Sequence, residues 1–144
     1  MKKMIFMAAA AVMCAASLTA CGKKNYADGT YTGQSAEYVN TEDGSDDGNG
    51  YGVVTLTIKD NKITESEFKT YELDGKLKDK DYGSAENKDF YRKAQKAVLA
   101  CDEYAKSLVE KGDIDKVDAI SGATINYGEF KEAVGIALSQ AEEK

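Results

Sequence analysis

The chain contains no histidine. That absence removes His-based metal sites, haem ligation by His, and the Ser-His-Asp and Cys-His types of nucleophilic catalysis. Cysteine is scarce: Cys14, Cys21 and Cys101 are the three. The first two fall in or at the end of an apolar N-terminal segment, so Cys101 stands alone in the remainder and no internal disulfide is available there. A chain with no Cys pair and no metal motif must borrow any redox chemistry from a bound organic cofactor. Basic charge is also short. The net charge is −6, and Lys2 and Lys3 lie in the N-terminal segment, so removing it leaves −8. Neutralising nucleic-acid phosphates needs a basic face, so nucleic acid is not an expected partner, nor are anionic lipid headgroups. An acidic surface reads as solubility. Proline is absent, so no turn is stiffened that way.

Long apolar runs are limited to the N-terminus. Lys2 and Lys3 precede an apolar stretch from Met4 to Ala16, which ends in Leu18-Thr19-Ala20-Cys21. The stretch is too short and wrongly flanked for a spanning helix and reads as a secretory signal over residues 1–20. Its end resembles the lipobox of bacterial lipoproteins. The resemblance implies a diacylglyceryl thioether on Cys21, which becomes the mature N-terminus. Two or more acyl chains anchor stably where one would not. Residues 21–27 form a short polar tether, which holds the domain at 28–144 near the membrane surface.

The domain opens with a turn at Asp28-Gly29 and a Thr- and Tyr-rich first strand over Thr30–Tyr38. Asn40 to Gly50 is an acidic, glycine-rich loop. Asp43, Ser45, Asp47 and Gly48 match four positions of a calcium loop, but Val54 stands where a bidentate Glu is required, so the loop reads as a solvated hairpin connection. Tyr51–Lys59 alternates Val54, Leu56 and Ile58 with Thr55, Thr57 and Lys59, a period of two. Asp60-Asn61 makes a tight turn. The returning strand, Lys62–Leu73, has Ile63 and Phe68 out of phase, which a bulge or an edge position explains. Asp74-Gly75 ends it, and 76–88 is polar.

Asn87–Lys111 reads as a long helix, with Phe90, Ala94, Ala97, Val98, Cys101, Ala105, Leu108 and Val109 at spacings of three and four. Gly112 closes it. Tyr91 and Tyr104 lie at the borders of the stripe, and Cys101 reads as a buried structural thiol. A last helix runs from about Tyr127 to Ala141, with the stripe Phe130, Ala133, Val134, Ala137, Leu138 and Ala141. Asn126 and Glu129 have the spacing of a capping box at its start. No internal repeat or coiled coil is present. Three strands followed by two helices imply an α+β fold: a small antiparallel sheet with two main helices packed on one face.

Between the helices lies Asp118-Ala119-Ile120-Ser121-Gly122-Ala123-Thr124. Its small side chains let a flat ligand approach the backbone, and Gly122 allows positive φ. Thr124 brings a hydroxyl to a helix start, where unpaired N–H groups favour a phosphate. The pattern Asp-x-x-Ser-Gly-Ala-Thr resembles the attachment motif of FMN-binding domains of extracytoplasmic flavoproteins, and Asp28-Gly29-Thr30-Tyr31-Thr32-Gly33 is similar to that family's first strand. Many members continue with a further Ser or Thr, where this chain has Ile125-Asn126.

The resemblance implies FMN joined through a phosphoester to Thr124 by a flavin transferase. Ser121, Gly122 and Ala123 would line the phosphate end, and Asp118 would be read by the transferase. It also implies a glycine-containing loop against the flavin in the interval 76–88, where Tyr82 would stack on the ring and Gly83 would let backbone approach it. The implied function is electron relay by a membrane-anchored extracytoplasmic protein between unidentified redox partners, more a carrier than a catalyst in its own right. The alternative is a non-redox ligand-binding or surface-antigen lipoprotein on the same fold; absorbance in the visible separates the two.

Overall fold

The computed structural model describes residues 23–42, 45 and 47–144. Residues 1–20, expected to be a signal segment, and Cys21, expected to be lipidated, lie outside the described residues, as does Asp43 of the calcium-loop match. Three strands form one antiparallel sheet in the order β1 (Gly29–Gln34), β2 (Tyr51–Lys59), β3 (Lys62–Tyr71). Helices α1 (Lys88–Lys111) and α2 (Thr124–Ala141) follow, with a short 3-10 turn at Ile114–Lys116 between them. The fold is the expected small α+β arrangement.

The period-two pattern of β2 decides which face is covered. Gly52, Val54, Leu56 and Ile58 are buried, and the residues between them are not. α2 packs on β1 and β2, and α1 on β3. The opposite face carries threonine pairs, Thr30 with Thr57 (3.4 Å) and Thr32 with Thr55 (3.3 Å), at cross-strand positions. The β2–β3 turn has φ of 51° at Asp60 and 61° at Asn61, as a two-residue type I′ hairpin requires. The phase break in β3 is a bulge: Thr57 pairs with Glu65 but Ile58 pairs with Ile63, so Ile63 and Phe68 both face inward.

Both outer strands end sooner than the sequence implies. Beyond Gln34, Ser35 N still donates to Gly52 O at 2.9 Å, but the Ser35 hydroxyl, not its carbonyl, accepts the Gly52 N–H at 2.9 Å, which ends the regular ladder. Pairing resumes only at Tyr38 with Gly50. β3 stops at Tyr71, where the chain doubles back so that Leu77 bridges Tyr71 and Lys78 N donates to the Thr70 carbonyl at 2.9 Å. The tether end is docked as well. Ala27 N donates to Ala141 O and Glu143 N donates to Asn25 O, fixing the start of the domain to the C-terminal end of α2.

α1 is capped at both ends as expected. Asn87 Oδ1 accepts from Asp89 N and Phe90 N, and Gly112, at φ 67°, donates to Leu108 O. α2 differs from expectation. It begins at Thr124 rather than near Tyr127, and Ala123 precedes it without a side-chain cap. Asn126 and Glu129 form no capping box, because both are buried inside the helix instead. Asn126 Nδ2 donates to Ala97 O at 2.9 Å and to Cys101 Sγ at 3.4 Å. Two tertiary bonds of this kind outweigh a cap of about 1 kcal/mol.

The motif loop is held by aromatic residues. Tyr104, expected at a helix border, is fully buried between α1 and α2, stacked on Phe130 with ring centroids 5.6 Å apart. Its hydroxyl accepts from Ile120 N at 2.8 Å and donates to Ala123 O at 3.0 Å. Tyr127 donates from its hydroxyl to Val117 O at 2.7 Å. The loop between the helices is thus tied to the core at 117, 120 and 123. Gly33 lets α2 lie directly on β1, since a Cβ there would fall 2.0 Å from the Ala133 carbonyl.

Tyr104→Phe keeps the ring, leaves the Ile120 N–H without its partner and removes one of the two bonds at the Ala123 carbonyl. Its expected cost is about 1–3 kcal/mol, read as a lower urea midpoint at unchanged slope. Tyr91→Phe, whose hydroxyl donates to Lys80 O at the surface, serves as the control with a near-wild-type midpoint.

Candidate functional site

A cleft of about 340 Å³ opens where the first turn of α2, the middle of α1 and the segment after β3 converge. That volume lies in the range of small-molecule and cofactor sites, roughly 300–1,000 Å³. Its walls differ in chemistry. Gly122, Ala123 and Thr124 form one end, beside the α1 lysines Lys93 and Lys96. Ala94, Ala97 and Val98 give an apolar side, with Tyr82 and Lys78 across from them.

The Thr124 end suits an anion. The first helical bond of this turn runs from Tyr127 N to Ala123 O, and no side chain caps the helix, so its leading N–H groups are open to a ligand. No acidic residue sits in that turn to oppose an anion. Gly122 has φ 84°, and a Cβ on it would lie 3.2 Å from the Lys96 side chain. Backbone, helix end and ammonium groups therefore converge beside the Thr124 hydroxyl, which is exposed.

The opposite end is held by α1. Gln95 Nε2 donates to Asp79 O and to Tyr82 O at 3.0 and 2.9 Å, which fixes the turn bearing Tyr82. Tyr82 is half-buried, and burial raises its phenol pKa. The Lys78 ammonium lies 5.2 Å from the centre of its ring and donates to Gly48 O at 3.1 Å. Lys78 is only 6% exposed, and burial lowers its pKa against the opposing field of Glu129. Gly48 serves packing: at φ 78° it lies against Ile125, and a Cβ there would fall 2.6 Å from Ile125 Cδ1.

Beneath the cleft, Cys101 is buried among Thr70 and Asn126, and burial pushes its thiol up to about 11. It stays protonated and structural, as expected, with no thiolate to act as a nucleophile. Glu129 is 5% exposed, and neither carboxylate oxygen has a hydrogen-bond partner. Burial pushes it up to about 7 against the opposing pull of Lys78.

Of the residues singled out in the sequence, Thr124, Gly122, Ala123 and Tyr82 line this cleft together. Ser121 is exposed on the approach, and Asp118 stands outside, paired with Lys111 at 3.1 Å. Gly83 packs elsewhere: at φ 81° it faces α1, where a Cβ would fall 2.9 Å from Ala94 Cβ. Sequence reading passed over Lys78, which sits in a polar segment without periodicity. It also gave Glu129 a capping role, although Asn126, Glu129, Ala133 and Ala137 share one helical stripe and so placed a carboxylate on the buried face.

These features fit FMN. The open helix end with Lys93 and Lys96 matches a phosphate, and the apolar wall facing Tyr82 matches a flat aromatic ring. The comparisons agree. The family model described as FMN-binding domain matches residues 48–139, which include β2, β3, α1, the motif and most of α2. Among solved structures, the crystal structure of the CPE2226 protein from Clostridium perfringens is similar, with a TM-score of 0.56 and 25% identity over 81% of this chain and 88% of that one. No curated protein matches the chain. With the motif, the cleft and the family match in agreement, the chain belongs to the FMN-binding domain family and is a flavin-binding protein whose cofactor is FMN.

Proposed function

We propose that the protein is a lipid-anchored extracytoplasmic electron carrier whose FMN is joined by a phosphoester to Thr124. The observation that carries this reading is the position of Thr124: an exposed hydroxyl on the first residue of an uncapped helix, at the lip of the cleft. A phosphoester there leaves the phosphate charge beside the helix N–H groups and Lys96. Asp118 and Ser121 are exposed on the same loop, as recognition by a flavin transferase requires. When bound, the flavin supplies the one- or two-electron chemistry that the side chains lack. The chain's own residues hold the phosphate, flank the ring and exclude water from one side of it.

Lipidation of Cys21 would anchor the mature chain to a membrane. The docked segment Asn25–Ala27 gives this anchor a geometric consequence. It joins the C-terminal end of α2, whereas Thr124 begins that helix. An 18-residue helix is about 27 Å long, so the docked Asn25–Ala27 segment and Thr124 lie near its opposite ends. The flavin would face away from the anchored end, toward extracytoplasmic redox partners.

Two measurements test this reading. Mature protein from its own cells should show a mass gain of FMN minus water on the peptide spanning Asp118–Lys131, and Thr124→Ala should fold without covalent flavin. Covalent FMN persisting in that variant, or an unmodified Thr124 in cells that flavinylate other proteins, removes the assignment. Cells fed labelled palmitate should yield labelled protein that partitions into detergent, and Cys21→Ala should lose both properties. Label retained by the variant removes the lipoprotein reading.

A further inference from the structure

The end of the sheet beneath the cleft buries a base and an acid, and two glycines make room for them. Gly50 leaves space for the Tyr71 backbone and for Lys78: a Cβ there would fall 1.9 Å from the Tyr71 carbonyl oxygen and 2.9 Å from the Lys78 ammonium nitrogen. Gly52 vacates the space of Glu129: a Cβ there would fall 3.0 Å from Glu129 Cβ. The pair is not a closed salt bridge. Neither Glu129 oxygen has a hydrogen-bond partner, while Lys78 donates to the Gly48 carbonyl and lines the cleft beside Tyr82. A buried charge that is not fully neutralised acts on whatever enters the cavity, because little water screens it.

We propose that Lys78 and Glu129 set the reduction potential of the flavin held in this cleft. The Lys78 ammonium at the cleft wall favours the cofactor once it carries additional electrons, and Glu129 behind it opposes that effect. The inference rests on the electron-carrier reading and deepens it. Lys78 acts on the ligand directly, and Glu129 is a positioning residue that acts through Lys78 and through its own field.

Among the described residues, the charged and titratable groups that act on the pair come from four elements. Lys78 feels Glu129 from α2, Glu72 from the end of β3, Cys101 from α1 and Asp47 from the β1–β2 loop. Glu129 in turn acts on Tyr82 and Cys101, and it shares a second cleft with Glu37 and Glu132. Burial outweighs the attraction of Lys78 and raises the Glu129 carboxyl to about 7. A raised carboxyl is ionised above that pH and neutral below it. Its opposition to the electrons is therefore present at pH 8.5 and absent at pH 5.5.

The test compares wild type, Lys78→Met, Lys78→Arg and Glu129→Gln as full-length exported proteins, matched for flavin by mass and for cooperative melting. At pH 8.5, Lys78→Met should lower the midpoint potential, with roughly a tenfold fall in the reduced-to-oxidised ratio at fixed potential. Glu129→Gln should raise the midpoint, and Lys78→Arg should stay near wild type. At pH 5.5 the Glu129→Gln difference should vanish. Opposite signs would not arise from loss of packing alone. Equal midpoints in all four proteins, or shifts of the same sign in Lys78→Met and Glu129→Gln, overturn the proposal. If Lys78→Met does not fold, the sign of the Glu129→Gln shift decides.

Flavin-free chain supplies a second readout. The Glu129 carboxyl carbon, followed by NMR, should titrate at higher pH in Lys78→Met than in wild type; unchanged titration removes the pair. A chain that never takes flavin sinks the electron-carrier reading instead, and the titration still tests the coupling.

Discussion

The Tyr104 hydroxyl ties both ends of the motif turn, taking the Ile120 N–H and giving its proton to the Ala123 carbonyl. Everything at the site hangs on that pair of bonds. Ala123 is the residue before α2, so fixing its carbonyl fixes where the helix begins. The start of the helix determines where Thr124 stands and where its uncapped N–H groups point. The ring that carries the hydroxyl is itself clamped between Phe130 and Tyr127. Burial of a large aromatic side chain is worth a few kcal/mol. Here that packing is transmitted through two hydrogen bonds to a loop of small residues that could not order itself.

Glycines divide the labour with these aromatics. Gly33 brings α2 onto the sheet, Gly50 and Gly52 leave space for Lys78 and Glu129, and Gly122 opens the backbone beside Lys96. Each is a place where a side chain would collide, and each lies close to the cleft or to the helix that frames it. The sheet ends in a polar pocket at this pole because the ladder is broken there. The Ser35 hydroxyl takes one of the two ladder bonds to Gly52 in place of the Ser35 carbonyl, and β3 turns back at Tyr71 to deliver Lys78. At the other pole the β2–β3 ladder runs through the bulge at Thr57/Ile58 to the Asp60-Asn61 turn, and the Asn25–Ala27 segment docks nearby.

The two buried charges conflict with the rule that ionisable groups stay wet unless fully paired. A domain of this size has little stability to spare, and an aliphatic residue in place of Glu129 would remove a carboxylate that finds no hydrogen bond. A buried carboxylate of this kind, whose field reaches Lys78 at the cleft wall, fits a role in tuning what binds there.

The strand β2, the Asp60-Asn61 hairpin, the bulge in β3, the limits of α1 and the Asp118–Thr124 motif were all legible in the sequence. Each is written in residues adjacent along the chain: a period of two or of three to four, a cap, a turn pair, a short signature. So was the cofactor, through that signature. Asn126 and Glu129 were misread for the same reason, since their spacing satisfies a local capping rule that tertiary bonds from Ala97 and Cys101 overrode. Tyr104 was assigned to a border because helical phase does not reveal that a second helix will close over it. Lys78 was invisible, because only the turn after β3 and the absence of side chains at Gly50 and Gly52 bring it against Glu129. The sequence by itself determined the elements and the Asp118–Thr124 motif. The tertiary structure alone decided the start of α2, the cleft and its buried charges, because those depend on packing between residues that are distant in the chain.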